Sequence, residues 1–120
     1  MKTVLIIEDE HNIAEAEKLI LQDEFKVHVA NDGETGLKLA KQLKPDLIVL
    51  DLMLPGRNGY DVCYALREND ELTKIKVLMV TAKNQKLDED KGLFIGADHY
   101  LTKPFDPDQL KSKVKELLKC

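Results

Sequence analysis

The sequence is poor in cysteine: Cys63 and Cys120 are the only two among its 120 residues. Two cysteines build no disulfide framework, and these show no metal-ligand spacing. Cys63 is expected partly buried on a helix and Cys120 exposed at the chain end, which suits a reduced, cytoplasmic protein. Long apolar runs are missing too. The first, Val4 to Ile7, is far too short for a signal peptide or a membrane span. Nor is there a basic excess: 18 Lys and Arg stand against 22 Asp and Glu, a net charge of −4. That balance supplies no electrostatic footprint for nucleic acid. Neither nucleic acid nor membrane is therefore expected as a direct partner. No linker, internal repeat or low-complexity tract breaks the chain, and residues 1–120 read as a single domain.

Short apolar runs alternate with helical periodicity. Val4-Leu5-Ile6-Ile7, Leu47-Ile48-Val49-Leu50 and Val77-Leu78-Met79-Val80 are continuous, as strands buried on both faces should be. Lys26-Val27-His28-Val29 alternates polar and apolar, and His99-Tyr100-Leu101-Thr102 is short; both suit edge strands. Helical spacing predicts a first helix with Ile13, Ala16, Leu19 and Ile20 on its inner face. A second opens after Asn31-Asp32-Gly33, packs Gly36, Leu37, Ala40 and Leu43 inward and stops at Lys44-Pro45. A third turns Val62, Ala65 and Leu66 inward. A poorly amphipathic helix is expected over 84–95, where Leu87 and Phe94 are separated by charges. The last helix begins with Asp106 as N-cap and Pro107 at its first position, and its apolar face is Leu110, Val114, Leu117 and Leu118. Five strands alternating with five helices imply an α/β fold, a (βα)5 doubly wound parallel sheet covered on both faces. The flavodoxin-like strand order 2-1-3-4-5 puts the continuous runs in the centre.

In that order the ends of strands one and three lie side by side, and open parallel sheets bind ligands beyond their carboxyl ends. Glu8 and Asp9 follow strand one. Asp51 ends strand three, ahead of the turn formers Pro55-Gly56 and Asn58-Gly59. Two unit charges ~4 Å apart cost about 4 kcal/mol at an effective dielectric near 20. Three converging carboxylates therefore require raised pKa values or a bound cation. An oxygen-only donor set favours a hard divalent ion, and a partly hydrated Mg2+ fits best. Lys103 offers a second positive group on the same rim, and Thr81 a hydroxyl donor. Singly, each has a plain structural role: Glu8-Asp9 at a helix dipole, Asp51 and Thr81 as caps, Lys103 as a solvated charge. Together they form a specific constellation.

Ile7-Glu8-Asp9-Glu10, Asp51 through Gly56, Val80-Thr81-Ala82, and Gly96-Ala97 through Lys103-Pro104-Phe105 resemble the response-regulator receiver domain of bacterial two-component signalling. The resemblance covers essentially the whole chain. It implies that Asp51 accepts a phosphoryl group from a sensor histidine kinase or phosphotransfer protein. Asp9, Asp51 and the backbone carbonyl of Met53 would ligate Mg2+, with Glu8 acting through water. Lys103 would pair with Asp51 and then with a phosphoryl oxygen. Thr81, next to Ala82, would bond another phosphoryl oxygen and draw its loop inward. Tyr100 would change rotamer as readout, and the bond before Pro104 would be cis. Phosphoryl transfer suits such a site because it needs positioning and charge neutralisation more than covalent chemistry. By this resemblance the chain is a phosphoacceptor signalling domain, not an enzyme. Its signal would appear on the surface of the helix over 84–95, the fifth strand and the last helix, for a downstream protein or an output domain. Glu8 departs from the family where many receivers have Asp, and Asn58 replaces the commoner Asp before Gly59.

Leu52 through Gly56 and Gly92 through Tyr100 are similar to receivers of winged-helix transcription regulators, which commonly dimerise by reciprocal ion pairs across that surface. Here Glu89 and Gln109 reverse or remove expected charges, Phe94 replaces an acid that would meet Lys115, and His99 one that would meet Lys113. That dimer is therefore not expected. Lys83 is expected over the phosphoryl group, limiting attacking water together with Met53. Three other readings meet specific obstacles. A haloacid-dehalogenase-type phosphohydrolase needs a second Asp two positions after the nucleophile, where Met53 stands. A flavodoxin-type flavin site needs a hydroxyl- and Gly-rich phosphate loop, where Glu8-Asp9-Glu10 would repel the phosphate. A receiver-shaped module without phosphotransfer is opposed by the intact Glu8, Asp9, Asp51, Thr81 and Lys103 set.

Overall fold

Each of the five apolar runs forms a strand slightly longer than its apolar centre. The computed structural model describes residues 1–82 and 96–119. Its strands are β1 (Thr3–Ile7), β2 (Lys26–Ala30), β3 (Leu47–Asp51), β4 (Lys76–Ala82) and β5 (His99–Lys103). All pair in parallel, in the order β2-β1-β3-β4-β5. Alternate residues of a strand point to opposite faces, so the continuous apolar runs feed two cores. Leu5, Ile7, Ile48, Leu50, Val77 and Met79 fill one. Val4, Ile6, Leu47, Val49, Leu78 and Val80 fill the other. The alternating β2 run and the short β5 run sit at the edges, as their patterns require.

The first core is covered by α2 (Gly33–Leu43) and α3 (Gly59–Glu68), the second by α1 (His11–Leu21) and the C-terminal helix (Pro107–Leu118). The helix expected over 84–95, with Leu87 and Phe94, lies outside the described residues, as do Lys83, Glu89 and Cys120. Helix starts follow their capping residues. The Asp32 carboxylate accepts the Thr35 N–H at 2.8 Å, and Asn58 Oδ1 accepts the Asp61 N–H at 3.1 Å. Pro107 takes the first position of the C-terminal helix, where Gln109 Oε1 accepts the Asp106 N–H at 2.7 Å. The left-handed Lys44, φ 46, ends α2 just before Pro45.

Two expectations of burial need correction. The inner face of α1 is Ala14, Glu17 and Leu21, while Leu19 is 63% exposed and Ala16 faces solvent. Assigning every charged residue to the outside had rotated the face, because Glu17 points inward. Cys63 is buried completely rather than partly.

Two joints position the sheet's ends. At one end the Arg67 guanidinium donates to the carbonyls of Gly96, Thr73 and Ile75 and to the Asp98 carboxylate. Asp98 also accepts the Val77 N–H at 2.7 Å, so β4 and β5 start from a shared anchor. Gly96, at φ +118, lies against the Arg67 side chain in a conformation that L residues rarely adopt. At the other end α3 begins hard against β3. A Cβ on Gly59 would meet the Asp51 carbonyl oxygen at 2.6 Å and the Leu52 Cα at 2.8 Å. Backbone cannot yield as a side-chain tip can, so Gly59→Ala should destabilise the fold by about 1–3 kcal/mol. Urea unfolding of the two proteins measures this, and an unchanged midpoint would contradict the tight joint.

Candidate functional site

Parallel pairing brings every strand's carboxyl end to one edge, and the acids leave the sheet there. Glu8 and Asp9 follow β1, and Asp51 is the last residue of β3, which is paired directly with β1. One carboxylate oxygen from each of Glu8, Asp9 and Asp51 lies within 4.8 Å of the others. Glu8 and Asp51 are buried and Asp9 is exposed, so the cluster meets solvent on the Asp9 side.

The counter-charge comes from β5. Lys103 Nζ lies 3.1 Å from Glu8 Oε1 and 3.7 Å from Asp51 Oδ1. The resemblance led to a Lys103–Asp51 pair, but the shorter contact is with Glu8. Glu8 carries one methylene more than Asp, and its Oε1 meets the Lys103 ammonium. Its other oxygen accepts the Glu10 N–H at 3.1 Å, and Asp51 Oδ1 accepts the Met53 N–H at 3.3 Å. Asn31 Nδ2 donates to the Glu8 carbonyl at 3.1 Å, tying the β1 end to the loop after β2.

Burial pushes the Glu8 carboxyl up from 4.5 to about 7; the Glu10 N–H opposes this, and the neighbouring Asp51 adds to it. Burial acts in the opposite direction on Lys103, but the charges of Asp51 and Glu8 outweigh it and raise the ammonium's pKa. Lys103 thus remains charged in a pocket that favours positive charge. The donor chemistry fits a hard divalent cation: three carboxylates in reach of one point, without sulfur or imidazole.

The remaining predicted residues frame the cluster. Thr81 is buried near the end of β4, opposite Thr102, and Ala82 stands opposite Lys103. Met53 is 61% exposed, its amide bonded to Asp51 as above. Tyr100 is buried as a member of the first core. The Lys103–Pro104 bond is cis. Two cations that the resemblance assigns to a partner copy have contacts within this chain. Lys115 Nζ is 2.8 Å from Glu24 Oε1, and Lys113 Nζ is 3.2 Å from Glu116 Oε2 and 3.3 Å from His99 Nε2.

Two residues were not anticipated. The Arg67 anchor involves bonds to the backbone carbonyls of Thr73, Ile75 and Gly96, which no periodic pattern reports. Glu17 was legible in principle, since Ala14, Glu17 and Leu21 recur at helical spacing. Burial, with a lesser push from the Glu8 charge, lifts its carboxyl from 4.5 to about 8.

A family model described as the response regulator receiver domain matches residues 4–115. The chain belongs to that family. This receiver is 42% identical, over 98% of its length, to the alkaline phosphatase synthesis transcriptional regulatory protein PhoP of Bacillus subtilis, covering 49% of it. It is 44% identical to the DNA-binding dual master transcriptional regulator RpaA of Synechocystis, with 99% of this chain and 50% of that one aligned. The receiver therefore spans about half the length of the curated relatives it matches. Among solved structures, a putative response regulator from Chloroflexus aurantiacus superimposes with a TM-score of 0.94 at 33% identity, covering 99% of this chain and 98% of that one. The beryllofluoride-activated DrrB receiver domain gives 0.89 at 31%, covering 100% and 99%. This is a receiver domain of a two-component response regulator. Among the described residues, no helix is long and apolar enough to cross a membrane.

Glu8 and Glu17 take up protons more readily folded than unfolded, so their ionisation works against the fold. Their penalty is absent below the ordinary carboxylate range and grows as pH rises through about 7 and about 8. Without divalent cations the melting temperature should therefore fall between about pH 5 and about pH 8, and added Mg2+ should recover part of the loss. A melting temperature that rises over this range without metal would contradict these environments.

Proposed function

We propose that this receiver accepts a phosphoryl group on Asp51 from the phosphohistidine of a sensor histidine kinase or phosphotransfer protein, with Mg2+ as its cofactor. One observation carries the reading: Asp51 ends the central strand β3 inside a carboxylate cluster and within 3.7 Å of the Lys103 ammonium. An Asp51 carboxylate oxygen forms the new O–P bond as the donor's N–P bond breaks, and the imidazole leaves with the bonding pair and takes up a proton.

Asp9 and Asp51 would hold Mg2+ with the Met53 carbonyl, and Glu8 through water. Bound there, the ion supplies neutralisation of the carboxylates and the incoming phosphoryl oxygens. Lys103 moves from Glu8 and Asp51 to a phosphoryl oxygen, and the Thr81 hydroxyl donates to another. The Ala82 backbone flanks that oxygen, and Tyr100 reports the shift through its rotamer. The chain promotes only its own phosphorylation and dephosphorylation and transforms no separate substrate. Its output goes to a downstream protein or an output domain, a reading supported by relatives named as transcriptional regulators of about twice this length. The chain acts in the cytoplasm as one domain, without touching nucleic acid itself.

Intact-mass measurement after acetyl phosphate and Mg2+ tests the acceptor. The wild type should gain one phosphoryl mass, and Asp51→Asn, Asp9→Ala or EDTA should nearly abolish it. Labelling that persists in Asp51→Asn would sink the assignment.

Lys115 and Lys113 are engaged within the chain, so the reciprocal ion-pair dimer should not form on activation. Exposed pairs of this kind contribute only about 0.2–1 kcal/mol each, but their sum and register determine specificity. Sedimentation with beryllofluoride and Mg2+ should give a monomer; a tight symmetric dimer through the β5 and C-terminal-helix face would refute this.

A further inference from the structure

The loop between β3 and α3, residues 52–58, carries Met53 and closes on itself at its base. The Leu52 N–H donates to the Val80 carbonyl at 3.0 Å, and the Gly59 N–H returns to the Leu52 carbonyl at 2.9 Å. Leu52 and Leu54 are buried, and the Met53 N–H reaches Asp51 Oδ1 at 3.3 Å. The tip stands clear of the core. Pro55 and Gly56 are exposed, and a Cβ on Gly56, at φ +71, would meet nothing within 4 Å. A loop of this kind costs conformational entropy to order, and a contact that holds its tip reduces what remains to be ordered on binding.

Arg57 supplies that contact. Its Nη1 lies 2.9 Å from Glu34 Oε1 in the first turn of α2. The pair belongs to the lining of an open groove of about 630 Å3, where Arg57 is the one cation beside the carboxylates of Asp32, Glu34 and Asp61. The start of α2 is itself firmly placed. The Asp32 carboxylate caps it through the Thr35 N–H, and a Cβ on Gly33 would meet Val62 Cγ2 at 2.9 Å and the Arg57 carbonyl oxygen at 3.0 Å. The turn before it is tied to the acid edge. The Glu8 N–H donates to the Ala30 carbonyl at 3.0 Å, and Asn31 Nδ2 donates to the Glu8 carbonyl at 3.1 Å. Residues 30–34 are thus bonded to the Glu8 strand end on one side and to the Met53 loop on the other.

We infer that Arg57 is a positioning residue of the site: its ion pair with Glu34 straps the β3–α3 loop to α2 and so holds Met53 in place for a divalent cation. The inference rests on the Mg2+ reading above, in which the Met53 carbonyl is a ligand, and adds a residue to it. A loop that is out of place for part of the time lowers the apparent affinity by that fraction. Removing the guanidinium also leaves the groove lined by three acids without their cation, and like charges push its walls apart. Both effects loosen the loop. The pair is exposed, with side chains 38% and 68% accessible, so its effect on affinity is modest. Arg57 acts through the loop, without ligating.

Titration calorimetry of Mg2+ into the full chain tests this with Arg57→Ala, Glu34→Ala and the double variant. Arg57→Ala should bind Mg2+ about two- to fivefold more weakly than the wild type, the scale of one exposed ion pair. Glu34→Ala should lose no more than that, since Asp32 and Asp61 still attract the guanidinium. The double variant should match Arg57→Ala, because both substitutions remove the same contact. Arg57→Lys keeps the charge without the planar fork and should fall between wild type and Arg57→Ala. Amide exchange in the metal-free proteins gives a second measure: the loop amides, Met53 among them, should exchange faster in Arg57→Ala by a similar factor. Either wild-type affinity or wild-type loop exchange in Arg57→Ala would overturn the inference, as would losses in the single variants that multiply in the double. Absence of Mg2+ binding by the wild type would instead overturn the metal reading beneath it.

Discussion

Crowded negative charge at one edge of the sheet is the constraint around which the rest is arranged. Carboxylate oxygens from three residues within 4.8 Å of one another repel strongly, more so where two of the residues are buried. The strand order makes this crowding unavoidable, because pairing β1 with β3 puts Glu8 and Asp51 on adjoining strand ends. It also provides the relief. β5 lies two strands from β3, roughly 10 Å at ordinary strand spacing, a gap that only a long cationic side chain can bridge. Lys103 bridges it, and its position depends on the register of β5. That register starts from the Arg67–Asp98 anchor at the opposite edge. The tight fit of Gly59 behind Asp51 fixes the other partner. Contacts remote from the carboxylates thus decide whether their charges are matched.

Most of the fold was legible because it rests on local pattern. Continuous runs became central strands, broken ones became edges, and Asp32, Asn58, Asp106 and Pro107 marked helix starts. The conjunction of Glu8, Asp9, Asp51 and Lys103 was legible for the same reason, since each follows or ends a strand and the order brings the ends together. What the pattern missed depends on direction within an element. The face of α1 was misread because hydrophobic periodicity treats every Glu as solvated, and Glu17 is not. The preference of Lys103 for Glu8 was missed because it depends on one methylene of reach. The Arg67 anchor was missed because a guanidinium bonded to three carbonyls leaves no periodic trace.

These misses share a cause: each concerns a charged group whose position costs stability or must be offset from afar. The apolar cores need nothing from the carboxylate edge, so the fold tolerates an unfavourable arrangement there. Glu8 makes the arrangement more specific. By drawing the Lys103 ammonium to 3.1 Å, it leaves Asp51 with the longer contact, 3.7 Å. Charge attraction falls with distance and with each shared partner, so Asp51 is less masked by Lys103 than Glu8 is. Among the described residues, Asp51 Oδ1 accepts the Met53 N–H at 3.3 Å. An oxygen held loosely by its own protein gives up little when it bonds to something else. Glu8 thus takes the nearer share of the Lys103 ammonium, and the edge stays neutralised.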